Sequence, residues 1–460
     1  MKRLTTGLFL WVLTCVSGFP VLSDQETPSP GMILLKSGDH ISSGIRGVVP
    51  GGFLVEFPWS AQPFTIKFED VKWYVRPDVT HSPLEKGVVL RLTNGDQITG
   101  TDLKRDPGGD WLFTTHWGQT LSVTPDQVER IRFYPEGRLK MAGPMSGKNW
   151  GSHALRRIPG TNQRTRRPVY GGRSVLHSRQ PSMVIPSVPL PDPFLLEIEY
   201  TFAAEPSNTR FTLFQNSGRM RSGQFNMTLN RDRLSANWFE FDEKKPNRRK
   251  GKNWNENVSY VPGLQRLQVS GGSASGKLFV NLNDVMKKEF PFPAVRQENF
   301  FDTFTMTLSQ NHSESLVISG VRLIGMGQQR KLPSGLPDKG KRRLITYDGR
   351  IEEGEVVSLT ETDLEWRKAS DGESMLVPRA KIFELAQADS DEKEPIEPTA
   401  TPQHHLFTGI AGDRFALKVT DLEGDVVVGT SPFTTDSIRI PLSQIQFWKM
   451  DGTHALEVTP

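Results

Sequence analysis

The stretch Leu90–Gly100, LRLTNGDQITG, alternates apolar and polar residues, breaks at Asn-Gly-Asp, alternates again and stops at glycine. Alternation with a period of two is the mark of a strand with one buried face, and Asn-Gly is a strong hairpin signal because both residues tolerate positive φ. The same layout returns three times: MILLKSGDHISSG at Met32–Gly44, RLITYDGRIEEG at Arg343–Gly354, and a looser copy, LFTGIAGDRFALKV, at Leu406–Val419. Each copy has a similar tail, ending in a short turn and a last strand that starts near Val71, Val128, Ile382 or Ile445.

Five short strands in about 45–50 residues predict a small SH3-like or Sm-like barrel. Four units follow, at residues 30–77, 86–135, 341–387 and 404–452. Leu35 and Leu90 are expected in the cores of the first two, with Ile41 and Ile98 also inside. Units this small bury a limited core, so the copies should pair or lean on a neighbour. Fold implies little about function, so the units read first as structural modules or adaptors. Sm-like barrels often bind RNA, but the polar residues such a site needs are not identifiable.

Between the second and third units, over residues 150–328, the repeat disappears and longer strands take over. The key strand is PDPFLLEIEYTF, Pro191–Phe202. It puts Phe194, Leu196, Ile198, Tyr200 and Phe202 on one face, and Leu195, Glu197, Glu199 and Thr201 on the other. Further strands are expected at Arg210–Asn216, Gln224–Asn230, Arg233–Phe241, Leu264–Gly272, Gly276–Val285, Phe301–Ser309 and Ser315–Gly325. The succession of Pro191–Phe202, KLFVNLNDV and LVISGVRLIG resembles the laminin-G-like and concanavalin A-like jelly-roll sandwiches. Leu278, Phe279, Val280 and Asn281 match the group's LYVNG-type strand, while Leu282 replaces its glycine and moves the turn to Asn283-Asp284. The resemblance implies roles in glycan or protein binding and, less often, hydrolase activity. With its flanking units the chain resembles large exported proteins of planctomycete-type bacteria. The fold class expected is all-β, a central jelly-roll β-sandwich flanked by two pairs of small β-barrel repeats.

Glycosidases on such sandwiches carry carboxylates at alternate positions of one strand, about 5–5.5 Å apart in retaining enzymes. Glu197 and Glu199 share a face, but Thr201 stands where a third acid belongs and Glu205 lies beyond the strand. The pair is therefore expected to be non-catalytic, on the solvated face of an amphipathic strand. The sandwich also resembles, in size and fold, a family that hydrolyses 3-keto-glycosides, although no catalytic residues match. The nine histidines show no tight ligand spacing, His404 and His405 are expected in a solvated linker, and no nucleotide or nucleophile motif occurs. No cofactor is expected beyond a structural calcium, for which Asp232, Asp242, Asp284 and Asp302 are possible ligands.

The candidate ligand surface is NWFEFDEKKPNRRKGKNWNENVSY, Asn237–Tyr260. Trp238, Phe239 and Phe241 precede a basic run containing Arg248, Arg249 and Lys250, and Trp254 and Tyr260 follow it. Aromatic rings stack on sugar faces and cations attract an anionic polymer. The plainer reading is a core strand followed by a solvated, basic hairpin loop.

The N-terminus, with Lys2, Arg3 and the apolar Leu8–Phe19, reads as an export signal ending near Ser23. It is too short for a membrane span, and no later segment qualifies. Cys15, the sole cysteine, lies inside the signal, where Val12–Cys15 also resembles a lipoprotein processing site with an ill-fitting Thr14. An exported chain without disulfides suits a bacterial envelope or periplasm. The formal charge of +4 over 460 residues does not point to nucleic acid. Arg156–Pro168 and Lys331–Arg343 read as basic linkers, and 388–403 as an acidic, proline-rich tether. The expected function is non-enzymatic binding or adhesion, to polysaccharide or an envelope protein. A carbohydrate-active hydrolase and a structural envelope protein are the alternatives.

Overall fold

The hairpin at Leu90–Gly100 closes with one residue of positive φ, Gly95 at 83°, not the two that a type I′ Asn-Gly turn requires. The Gly95 N–H donates to the Leu92 carbonyl at 2.9 Å, and the Leu92 N–H donates to the Asp96 carbonyl at 2.9 Å. This is a type I turn followed by a glycine bulge, the usual three-residue hairpin loop. Gly349 and Gly412, with φ of 81° and 89°, close the third and fourth units through the same pair of hydrogen bonds.

The computed structural model describes residues 32–75 with short gaps, 86–143, 169–170, 173–177, 182–202, 209–213, 225–229, 233–242, 245–258, 265–272, 277–283, 285–291, 303–310, 315–327, 337–387 without 339, and 404–450. The signal segment with Cys15, the linkers at 156–168 and 388–403, and Tyr260 lie outside them. Among the described residues every regular element is a strand, apart from four 3-10 turns. Among the described residues no helix is long and apolar enough to cross a membrane.

The second unit shows the common plan. Gly87–Leu92, Gln97–Arg105, Trp111–Thr115 and Thr120–Val123 pair in succession, a 3-10 turn spans Pro125–Gln127, and Val128–Tyr134 returns to pair with Gly87–Leu92. The third and fourth units repeat it, with first strands Arg342–Thr346 and His405–Gly409 and last strands Ile382–Gln387 and Ile445–Lys449. In the first unit the second strand is split into His40–Ser42 and Gly44–Val49. Leu90 and Ile98 are fully buried, and Leu35 and Ile41 are partly buried against the same core.

The units associate in a nested order. Val128–Tyr134 of the second pairs with Ile382–Gln387 of the third, and Ile445–Lys449 of the fourth pairs with Val71–Val75 of the first. Among the described residues no ladder joins the first unit to the second. The two pairs meet where the second and fourth units cross, at a Val123–Thr434 bridge and at a Gln97–Arg414 bridge. Around it the Asp413 carboxylate accepts from the Thr99 N–H at 2.6 Å and the Asp96 carboxylate from the Ala416 N–H at 3.2 Å. Gln97 donates to the Gly412 carbonyl at 3.2 Å and Arg414 to the Gly95 carbonyl at 3.0 Å. Asp96 and Asp413 follow equivalent turn glycines, so the contact is an approximate two-fold made from one motif. All four units share one apolar core, including Phe53, Leu90, Trp366 and Trp448.

The motif ends in glycine for a steric reason. A Cβ at Gly100 would stand 2.5 Å from the Phe113 ring and closer still to the Thr114 carbonyl oxygen. At Gly354 it would meet the Trp366 indole nitrogen at 2.8 Å and crowd the Arg367 carbonyl. In the fourth unit the small residue has moved to the facing strand: Gly429 lies under Leu417, where a Cβ would be 2.6 Å from its Cγ. Gly100→Ala and Gly354→Ala should each destabilise by about 1–3 kcal/mol through overpacking. Gly47→Ala, where the nearest atom is 3.7 Å away, should be nearly neutral. Urea midpoints of the three variants test this, and equal midpoints for Gly100→Ala and Gly47→Ala would refute it.

The middle of the chain forms two antiparallel sheets. In spatial order one runs Val169–Tyr170, Arg173–His177, Ser315–Gly325, Phe194–Phe202, Gln265–Gly272, Lys277–Leu282, Val285–Pro291. Leu139–Gly143, directly after the second unit, also pairs with Ser315–Gly325. The other runs Ser182–Pro189, Thr303–Gln310, Thr209–Leu213, Phe225–Leu229, Arg233–Asp242, Lys245–Asn257. Asn283, at a φ of 51°, stands in a turn between the paired strands Lys277–Leu282 and Val285–Pro291. Phe194, Leu196 and Ile198 are buried, as expected for the inner face of this strand.

Candidate functional site

Two places gather the residues singled out in the sequence: a seam between the sandwich and the repeat units, and a long hairpin at the edge of the second sheet.

Glu197 and Glu199 are not solvated. They are 1% and 5% exposed, which corrects the expectation drawn from alternation. Alternation separates one face of a strand from the other, but a polar face can be covered by another polar face of matching charge. Here the covering face belongs to the second and third units. Arg132 and Arg130 sit two apart on Val128–Tyr134, so both point the same way. The Arg132 guanidinium donates to Glu384 of the third unit at 2.8 Å and, through Nη1, to Glu197 of the sandwich. Arg130 reaches the same Glu384 at 3.4 Å. Gln268 donates to Glu197 at 2.7 Å, and Arg266 and Arg322 each approach Glu199 at 3.4 Å. Beside these ions an apolar patch of Leu195, Ile324, Tyr134, Tyr347 and Phe383 closes the seam, and the Tyr347 hydroxyl donates to the Phe133 carbonyl at 2.8 Å.

Burial alone would raise both carboxyls. Arg132, Arg266 and Arg322 outweigh it at Glu197, and Arg322 and Arg266 at Glu199, so both are held below the ordinary carboxylate range. Such groups are fixed anions. A general acid for glycoside cleavage needs a raised pKa instead.

Asp96 is the opposite case. Burial pushes its carboxyl up to about 7, against hydrogen bonds from Asn94 and the Ala416 N–H and the charge of Arg414. The folded state therefore holds this proton more tightly than the unfolded chain, whose Asp titrates near 3.9. By linkage, the stability from this group is complete below about pH 4 and is lost as pH rises toward 7. Asp96→Asn should flatten the fall in stability between these limits. Urea midpoints from pH 4.5 to 7.5 test it; a wild-type-minus-variant difference that does not change with pH would count against a raised Asp96.

The candidate ligand residues fall on the hairpin of Arg233–Asp242 and Lys245–Asn257. The basic run is not the expected loop: it lies in a 13-residue strand that pairs with the aromatic strand over Arg249–Asn257 and again at Lys245, with a register shift between. The register sets Trp238 opposite Lys252, Phe239 opposite Gly251, Glu240 opposite Lys250 and Phe241 opposite Arg249. Arg248 lies next to Arg249 on the same strand. The physical reason is position. Lys245–Asn257 is an edge strand, which needs only one ladder, and charged residues suit an edge because they discourage pairing with another chain. Toward its end Asn253, Asn255 and Asn257 are exposed while Trp254 is half-buried, with the Lys288 ammonium 6.0 Å from its ring centre.

Of the possible calcium ligands, Asp242 closes the aromatic strand, and Asp232, Asp284 and Asp302 lie outside the described residues. Among the described residues no three acidic, histidine or cysteine side chains gather as a metal site would require. His405 is not in a linker. It opens the first strand of the fourth unit, and its Nδ1 accepts from the Trp448 indole at 2.9 Å. The seam itself was invisible in the sequence, because arginines on Val128–Tyr134 and glutamates on Phe194–Phe202 each look like an ordinary outer face.

No family model and no curated protein sequence matches the chain. Sheep galectin-11 in complex with glycerol is similar in structure, at 14% identity and a TM-score of 0.24 over 31% of this chain and 97% of that one. A glycoside hydrolase family 16 endo-glucanase from Bacteroides ovatus is similar at 10% identity and a TM-score of 0.24, over 33% and 85%. The CBM40 of the Ruminococcus gnavus IT-sialidase bound to α2,3-sialyllactose is similar at 8% identity and a TM-score of 0.22, over 29% and 76%. At these TM-scores the likenesses add nothing to what the strands themselves establish.

Proposed function

We propose that this chain is an exported, non-enzymatic binding protein of a bacterial envelope, and that its jelly-roll sandwich holds an anionic polysaccharide along the edge hairpin. The observation that carries this reading is the register of Arg233–Asp242 with Lys245–Asn257, which sets Trp238 opposite Lys252 and Phe241 opposite Arg249. A paired strand offers a fixed row of charges, where a loose loop would have to be ordered on binding. The non-hydrolytic part is supported by Glu197 and Glu199, which are buried and held ionised between arginines. The small repeat units then act as the support on which the sandwich is mounted.

The test is binding of the full chain to polygalacturonate, with a neutral β-glucan as the other arm. Affinity for the polyanion should fall as sodium chloride is raised, since screening shortens the reach of exposed charges to about 8 Å at physiological strength. Arg248→Ala/Arg249→Ala/Lys250→Ala should weaken binding at least tenfold without lowering the thermal midpoint. Unchanged affinity in that variant would remove the hairpin, and release of sugar from either polymer would replace binding by hydrolysis.

A further inference from the structure

Strand pairing links the four repeat units in the order third, second, fourth, first, and the contacts alternate in kind. Last strands pair at both ends of this row: Val128–Tyr134 with Ile382–Gln387, and Ile445–Lys449 with Val71–Val75. In the middle, the strands that precede the 3-10 turns meet edge to edge. Thr120–Val123 of the second unit lies against Thr434–Pro441 of the fourth, with a bridge at Val123–Thr434. One side chain from each unit crosses this edge. The Gln119 amide donates to the Ser437 carbonyl at 2.6 Å and accepts from the Arg439 N–H at 2.8 Å. In return the Asp436 carboxylate accepts from the Ser122 N–H at 2.6 Å. Gln119 and Asp436 hold the same place, six residues before the 3-10 turns that open at Pro125 and Leu442.

The row ends in two more edges of this kind. Among the described residues Phe64–Lys67 of the first unit pairs only with Gly52–Glu56, and Ser374–Pro378 of the third only with Asp363–Lys368. Counted back from the turns at Phe68 and Arg379, the place of Gln119 and Asp436 is taken by Gln62 and Glu373. The combination of one amide with one carboxylate is kept. Ser374 follows Glu373 as Ser437 follows Asp436, and Pro378 stands where Pro441 does. Pro63 replaces Thr120, whose hydroxyl lies 3.1 Å from that of Thr114 in its own unit. Gln62, Thr65, Glu373, Ser374 and Leu376 are exposed, and the Glu373 carboxylate is 3.9 Å from the Lys368 ammonium. An open edge of this sort is a template for another strand.

We infer that the row continues from one molecule to the next: the third unit's edge at Ser374–Pro378 takes the first unit's edge at Phe64–Lys67 of a second copy of this chain. Gln62 of one copy clamps the Ser374 carbonyl and the Leu376 N–H of the other, as Gln119 clamps Ser437 and Arg439. Glu373 accepts from the Thr65 N–H, as Asp436 does from that of Ser122. Like edges pair less well, since two third units would bring two carboxylates together and two first units would offer none. Because the two edges differ, the contact is head-to-tail and builds open chains or rings of copies. Each copy then adds one sandwich to a row of sandwiches. Two short edge strands bury little surface, so the association is weak and shows at high protein concentration. It does not depend on what the sandwich binds.

The test is sedimentation of the full chain over a range of protein concentrations. The weight-average mass should rise with concentration past that of two copies. Gln62→Ala, at an exposed side chain, should weaken association about tenfold through the loss of two hydrogen bonds. Leu376→Pro, which removes the N–H at the other edge, should do the same. Where proline lowers the thermal midpoint, Glu373→Ala, at an exposed side chain, takes its place. At a concentration where neither variant self-associates, mixing the two should give dimers and nothing larger, because one keeps the third unit's edge and the other keeps the first unit's. A mass of one copy at every concentration, association unchanged in Gln62→Ala, or a mixture that stays monomeric would overturn the contact. Parent dimers that never grow larger would show like edges pairing and would overturn the head-to-tail order.

Discussion

Arg132→Ala should destabilise the protein by about 3–5 kcal/mol, the usual cost of removing one partner from a buried ionic cluster. Arg132 is buried and serves two carboxylates at once, Glu384 at 2.8 Å and Glu197, with its guanidinium 5.4 Å from the Phe383 ring centre. Alanine leaves Glu197 with Gln268 and Glu384 with the longer Arg130 contact. The sign of the pH effect follows. In the native protein Glu197 is depressed, so it contributes stability above its unfolded pKa that is lost as pH falls through the folded value. Without Arg132, the largest charge opposing burial is lost and its carboxyl rises from the depressed value. The deficit of the variant should therefore be largest near neutral pH and shrink toward pH 4. Arg132→Lys keeps a charge but loses the fork that serves both partners, so it should fall between the two. Urea titrations at pH 7 and pH 4 decide the matter, and a single variant as stable as the parent would show that the cluster is not a clamp.

What the sequence disclosed follows the range of its signals. Local signals were legible: the glycine turn at Leu90–Gly100, its copies in the third and fourth units, the core face of Phe194–Phe202 and the turn residue Asn283. These depend on neighbours a few residues apart. What covers a face does not. Glu197 and Glu199 obey the same alternation whether they meet water or Arg132, which is 65 residues away in the chain. The last strands of the second and third units pair across the whole sandwich, Ile131 opposite Leu385, and nothing in either strand marks its partner. The basic run at Lys245–Asn257 failed as a strand because five cations and a proline outweighed its alternation; position at a sheet edge tolerates them. The seam is thus the part of the molecule least visible in composition, though every charge in it could be listed in advance.

Trp448→Ala should cost about 3–5 kcal/mol and act first on the contact between the first and fourth units. The indole is fully buried, and its ring centre lies 5.2 Å from those of Phe53 and Phe68 in the first unit and 5.0 Å from that of Phe407 in its own. Truncating a buried tryptophan removes the transfer energy of the ring and leaves a cavity that such a close cluster cannot collapse. It also strips His405 of the indole donor at 2.9 Å. The strand that carries Trp448 pairs on one side with His405–Gly409 and on the other with Val71–Val75, so the loss falls on the ladder between units. Hydrogen exchange should accelerate in Val71–Val75 well before it does in Val128–Tyr134, whose own ladders and aromatic contacts are untouched. Trp448→Phe keeps most of the apolar volume and should recover more than half of the loss. Leu376→Ser, at a side chain 71% exposed, should change nothing measurable. If exchange rose equally in both last strands, the four units would be one cooperative block, and the nested pairs would have no separate existence in solution.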